Sequence, residues 1–144
     1  MATAADGISG AGKKNWARSI AAVAAGYFTI FVSFVSLSLI AVFYPGFFTP
    51  RAESDFPWTL AGILAYTVVF LVLAGFVTAL VANREPGKHV MTLGILQFIG
   101  SLAVAFLFRD MLPPWYAVLS VVFQIPAIWL GGRLKEVFWF NRRV

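Results

Sequence analysis

From Ile20 to Phe43 the chain runs for twenty-four residues without a charge, IAAVAAGYFTIFVSFVSLSLIAVF. As an α-helix, at ~1.5 Å per residue, this run exceeds the roughly 30 Å hydrocarbon core of a bilayer. A water-soluble fold of 144 residues has no place to hide it. Three more runs of the same character follow. Together they predict an all-α membrane protein, a four-transmembrane-helix bundle with helices at about 17–44, 58–82, 89–108 and 115–134. The composition agrees: 60% of the residues are hydrophobic and 12% charged, against about 45–50% and 25% in soluble domains.

Punctuation between the runs supports the division. Residues 1–15 are small, polar and glycine-rich and end in Lys13 and Lys14, which predicts a disordered basic tail. The apolar run that follows is too long for a signal peptide and leads into Tyr44-Pro45-Gly46, not a small-residue cleavage site, so it reads as an uncleaved first span. Proline and glycine stop that helix. The longest connector, up to Pro57, carries Phe47 and Phe48, expected to dip into the interface, and the charged Arg51, Glu53 and Asp55. A short polar turn, Asn83 to Lys88, separates the second and third helices, and Arg109, Asp110 and Pro113-Pro114 separate the third and fourth. Trp58, Trp115 and Tyr116 are placed for an aromatic belt. The uncharged part of the fourth segment, Trp115 to Leu130, is only sixteen residues long, and Pro126 inside it predicts a kink. The end of the chain, 135–144, mixes basic residues with Phe138, Trp139 and Phe140, the pattern of an interfacial anchor.

Charge sets the orientation. Four crossings place both termini and the 83–88 turn on one side. That side holds Lys13, Lys14, Arg18, Arg84, Lys88, Arg133, Lys135, Arg142 and Arg143; the other holds Arg51 and Arg109. Nine basic residues against two, counted from the sequence, put the termini in the cytoplasm, with the plasma (inner) membrane as the location. The net charge of +5 is thereby accounted for without nucleic acid.

Several function classes are disfavoured. The chain has no cysteine and a single histidine, His89, which leaves no disulfide, thiolate or multi-histidine metal site. Neither a metal nor another cofactor is expected. The expected spans contain no Asp, Glu, Lys or Arg, the residues that mark proton relays and transport paths. Small multidrug transporters need a glutamate in the first helix, where this chain has serines and a threonine. No acid, base and nucleophile can be placed together, so no enzyme is expected.

Small and polar residues nevertheless recur at helical spacing. Ala22, Gly26, Thr29, Ser33 and Ser36 share a face of the first helix; Gly75, Thr78, Ala79 and Ala82 of the second; Gly94, Gln97 and Ser101 of the third; Ser120, Gln124, Ala127 and Gly131 of the fourth. Such stripes let helix backbones approach, so Gly26, Gly75, Ala79, Gly94 and Gly131 are expected at packing seams. The same stripes could instead line a polar cavity. Gln97 lies eight residues from His89, and Gln124 nine from Arg133. Both then sit roughly 12 Å deep, where they could pair with each other or share a ligand. Ser33, Thr29 and Tyr66 lie near the same level. His89 reads as an interfacial residue; a pH-sensing role would need the Glu85 carboxylate.

ARSIAAVAAGYF, the proline-bearing loop before Trp58, AGFVTALVANRE and the terminal LGGRL resemble a loosely defined group of small four-helix bacterial integral membrane proteins. The resemblance covers most of the chain and implies the four-helix fold. It brings no activity with it, and AGF stands here where a Gly-Gly pair is expected. The expected function is non-catalytic: association with other membrane subunits or with itself within the lipid bilayer. The alternative is a carrier or channel for a small neutral or apolar molecule near Gln97 and Gln124. A reporter fused after Val144 is expected to report from the cytoplasm, and an external signal would refute the topology.

Overall fold

The computed structural model describes residues 5–44, 56–82, 85–107 and 113–140. Among these the chain is helical throughout: α1 (Ala5–Phe43), α2 (Phe56–Val81), α3 (Pro86–Leu107), α4 (Pro114–Val122) and α5 (Gln124–Phe140). α4 and α5 follow each other across the single residue Phe123 and form one rod. The four rods are each long and apolar enough to cross a membrane, over Trp16–Phe43, Pro57–Val81, Pro86–Leu107 and Pro114–Phe138. Phe47, Phe48, Asn83, Arg84, Arg109, Asp110 and residues 141–144 lie outside the described residues.

Three boundaries differ from expectation. α1 begins at Ala5, so residues 5–15 are helical and not a disordered tail. Once the apolar run is helical, extending it adds one hydrogen bond per residue without a new nucleus. α3 starts at Pro86, three residues before His89, because proline at a first helical position lacks only an N–H that would have no partner anyway. α5 does not end near Leu134 but continues to Phe140. The fourth rod is therefore not short.

Pro126 acts upstream of itself. It has no N–H to donate to Val122, and its ring crowds that carbonyl. The neighbouring bonds survive, Phe123 N–H to Leu119 at 3.0 Å and Ala127 N–H to Phe123 at 3.0 Å. The bond lost to the proline is thus the one to the Val122 carbonyl, and the backbone at Phe123 stays in the helical region at φ −74°, ψ −12°.

α2 is the central rod and packs on every other helix, most extensively on α5 and α1. α3 bridges α1 and α5 on the other side and also touches α2. The cross-section is a rhombus: α2 and α3 lie across the short diagonal, with α1 and the α4–α5 rod at the far corners.

Rods apolar on every side have little hydrophobic drive to associate in a bilayer, and these four are held by close backbone approach. Two glycines make the closest seam. A Cβ on Gly131 would run into the Val72 carbonyl oxygen and lie 2.8 Å from the Phe76 nitrogen; one on Gly75 would run into the Ile128 carbonyl. Ala74, Thr78, Ala79, Leu93 and Ile128 fill the space around them and are all but fully buried. Gly26 brings α1 onto the same cluster, facing Thr78 and Leu93. Gly94 is buried but loosely placed, since a Cβ there would meet only Ile128 at 3.9 Å.

This packed cluster occupies the end of the bundle that carries the α2–α3 turn. Toward the other end the rods loosen. No residue of α3 beyond Gly94 is fully buried, and none of α4 is. Replacing Gly131 with valine should destabilise the detergent-solubilised protein by about 1–3 kcal/mol through overpacking. Gly62→Ala, where a Cβ would meet nothing within 4 Å, should be neutral or slightly stabilising. Unfolding in denaturing detergent, followed by circular dichroism, checks both.

Candidate functional site

Where the rods loosen, a cavity of about 460 Å³ lies between α1, α3 and α4. Tyr27, Phe31 and Phe34 of α1 form one wall; Gln97, Gly100, Ser101 and Val104 of α3 form the floor; Tyr116 and Ser120 of α4 form the other wall, with Gln124 at the inner end. α1 and α4 meet at most marginally, so the cavity opens sideways between them.

Its polar groups form a small network. Gln124 is buried although polar, with 5% of its surface exposed. Its Oε1 accepts a 2.8 Å hydrogen bond from the Ser101 hydroxyl. The same hydroxyl lies 2.8 Å from the Gln97 backbone carbonyl, one turn earlier. A serine hydroxyl carries a single proton, so these two bonds are alternatives. Ser120 donates to its own helix at Ala117, 2.9 Å away.

Gln97 and Gln124 therefore reach one cavity, but Gln124 is bonded to Ser101 rather than to the Gln97 amide. The two would lie level if Arg133 marked the mouth of the fourth helix. α5 continues past Arg133 to Phe140, so Gln124 lies deeper along its rod and faces the next turn of α3. The other three candidates lie elsewhere. Tyr66 donates to the Ser33 carbonyl at 3.3 Å across the α1–α2 seam, and Ser33 is buried there. Thr29 bonds the Ala25 carbonyl of its own helix at 3.0 Å. None of the three lines the cavity.

At the opposite end, Lys135, expected in an interfacial tail, lies within α5. Its ammonium reaches back to α2 and donates to the carbonyls of Ala79 and, at 3.2 Å, Ala82. α2 ends at Val81, so carbonyls of its last turn have no partner within the helix, and a cation there also meets the negative end of the helix dipole. No short-range signal in the sequence pairs positions 79 and 135. Only the length of α5 brings them together.

The α2–α3 turn is held by Glu85, which adopts a left-handed φ of 47°. A side chain in that region costs about 1–2 kcal/mol. Local bonds offset the strain. The Glu85 carbonyl accepts from the Lys88 N–H at 3.1 Å and from Nδ1 of His89 at 3.1 Å. The carboxylate pairs with Lys88 at 2.7 Å. His89 thus meets the Glu85 backbone and not its carboxylate. The hydrogen bond and charge of Lys88 hold the Glu85 carboxyl below its ordinary range. The contribution of the pair is present at neutral pH and fades as the pH falls through that lowered value. A second, shallower hollow of about 560 Å³ runs beside it between Trp16, Ile20, Val23, His89 and Leu96. It is almost wholly apolar.

Two measurements test these contacts. Lys135→Met should lower stability by about 1–3 kcal/mol, because it leaves carbonyls of the α2 terminus without a partner. A double-mutant cycle between Ser101→Ala and Gln124→Leu should return a coupling of about 0.6 kcal/mol and no more than ~2. A coupling of zero would show that the two side chains do not meet.

Compared with protein-family models, with curated proteins and with solved structures, the chain finds no match.

Proposed function

We propose that the chain is a multi-pass protein of the plasma (inner) membrane, with both termini in the cytoplasm, that binds a small uncharged molecule within the bilayer as a carrier or binding protein. Membrane insertion is supported by four rods of sufficient length and apolarity. The orientation is supported by nine basic residues on the side of the termini against two on the other.

The observation that carries the binding reading is the cavity with a buried amide at its inner end. Binding sites in membrane bundles combine mostly apolar walls with a few convergent polar groups, and Gln97, Ser101, Ser120 and Gln124 converge in this way. Among the described residues the lining holds no carboxylate, amine, imidazole or thiol, which favours a neutral molecule and a non-catalytic role. A channel is disfavoured by the packed cluster around Leu93 and Ile128, which closes the bundle toward the turn end.

A second reading, association as an accessory subunit or a homo-oligomer, is favoured by α1. That helix is held along one stripe and turns Phe28, Val42 and Phe43 outward, with 66%, 72% and 71% of their surfaces exposed. Lipid can cover these residues as well as a partner can, so they weigh less than the cavity does. Extraction from native membranes in mild detergent, followed by native mass spectrometry, separates the readings. A single species or homo-oligomer that retains a small molecule, and loses it in Gln124→Leu, is expected. A particle with stoichiometric different subunits and no small molecule would replace binding with association.

A further inference from the structure

We propose that the cavity takes the head of an uncharged single-chain lipid bearing hydroxyl groups, and that this lipid arrives sideways between α1 and α4 from the leaflet opposite the α2–α3 turn. The proposal rests on the binding reading above and names its ligand class and route.

The chemistry of the head follows from the Ser101 proton. At rest that proton can serve Gln124 Oε1 or the Gln97 carbonyl, each 2.8 Å away. A ligand hydroxyl can donate to Gln124 Oε1 while the Ser101 proton turns to the Gln97 carbonyl. The buried amide then keeps a donor throughout, and no acceptor is stranded when the ligand leaves. This matters because an unpartnered buried polar group costs about 1–3 kcal/mol. A carboxylate or phosphate fits poorly. It would donate nothing to Gln124 Oε1, and the described residues of the lining offer it no cationic side chain, so beside Gln124 its charge would lie in low dielectric without a partner.

Size and shape narrow the class further. At the ~30 Å³ that a water occupies in the liquid, 460 Å³ admits roughly fifteen heavy atoms. That is a small polar head and the first part of one chain. The remaining chain needs an apolar exit, and Phe31 and Phe34 line the α1 wall beside that opening. The route is blind. Inward of Gln124 the bundle closes on Ala127, Ile128 and Leu93, which are buried, so the ligand leaves by the way it came.

A photoreactive monoacylglycerol, carrying a diazirine on its chain, tests this in phosphatidylcholine vesicles containing the full chain. Labelling should saturate, be competed by unlabelled monoacylglycerol, and map to residues 27–34, 97–105 and 116–124. Gln124→Leu should weaken competition about three- to tenfold. Ala105→Trp, which fills the cavity, should abolish saturable labelling, with a circular-dichroism melt confirming that the variant folds. Gly62→Ala, on the far surface, should change nothing. Saturable labelling of the same peptides by a fatty-acid probe at pH 9, equal to that by the monoacylglycerol, would overturn the ligand class while leaving the binding reading intact. If every probe labels the lipid-facing surface evenly, and Ala105→Trp labels like the parent, both the ligand class and the binding reading fall.

Discussion

The bundle depends on one contact between backbones. At Gly75 and Gly131 the main chains of α2 and α5 come so close that no side-chain atom fits between them. In water, burial of leucine and phenylalanine would hold helices together from a distance. In a bilayer, the setting proposed for this chain, that drive is gone, because hydrocarbon solvates these side chains as well as a protein core does. Attraction then has to come from short-range packing, and only small residues give access to it. The aromatic residues consequently lie mostly outward, and small residues with a few aliphatic ones such as Leu93 and Ile128 form the interior: Ala22, Ala74, Ala79, Ala82 and Ala127 are buried while Phe28, Phe34 and Phe106 are not.

This contact also explains where the cavity is. Gly75, Gly131 and Gly26 all lie toward the α2–α3 turn and draw three rods together there. No comparable glycine seam is present on α3 or α4 among the described residues nearer the other end; at Gly100 the nearest side-chain atom, Tyr27 Oη, is 3.9 Å from where a Cβ would sit. The rods diverge where the seam stops, and the space between them is lined by what the stripes offer further out: Gln97, Ser101, Ser120 and Gln124. Seam and cavity are the two ends of the same small-residue faces.

Much of this was legible in the sequence through residue size. The stripe Gly75, Thr78, Ala79, Ala82 is buried in full, and Ala22, Gly26 and Ser33 mark the buried line of α1. Polarity gave no such signal, since both sides of a membrane helix are apolar. Helix ends were harder to read. The basic-aromatic pattern of 135–144 reads as an anchor outside the fourth helix, yet an ammonium on a long stem can remain part of a helix if another helix supplies acceptors. That misplaced end shifted Gln124 by about a turn and hid its pairing with Ser101. Tyr66 and Ser33 shared a depth with the glutamines, but depth does not say which seam a side chain faces.

The contact between Lys135 and α2 has a consequence for biosynthesis. The last turn of α2 is completed by a residue 56 positions downstream. A chain emerges from its N-terminus, so α1 and α2 can meet as a hairpin long before Lys135 exists. Until then the α2 terminus has only its surroundings to satisfy its carbonyls. The fourth rod is thus a clasp: its arrival seats Gly131 against Val72 and caps the helix made two rods earlier. A nascent chain halted before residue 135 would hold every glycine of the seam and still leave that end of α2 open.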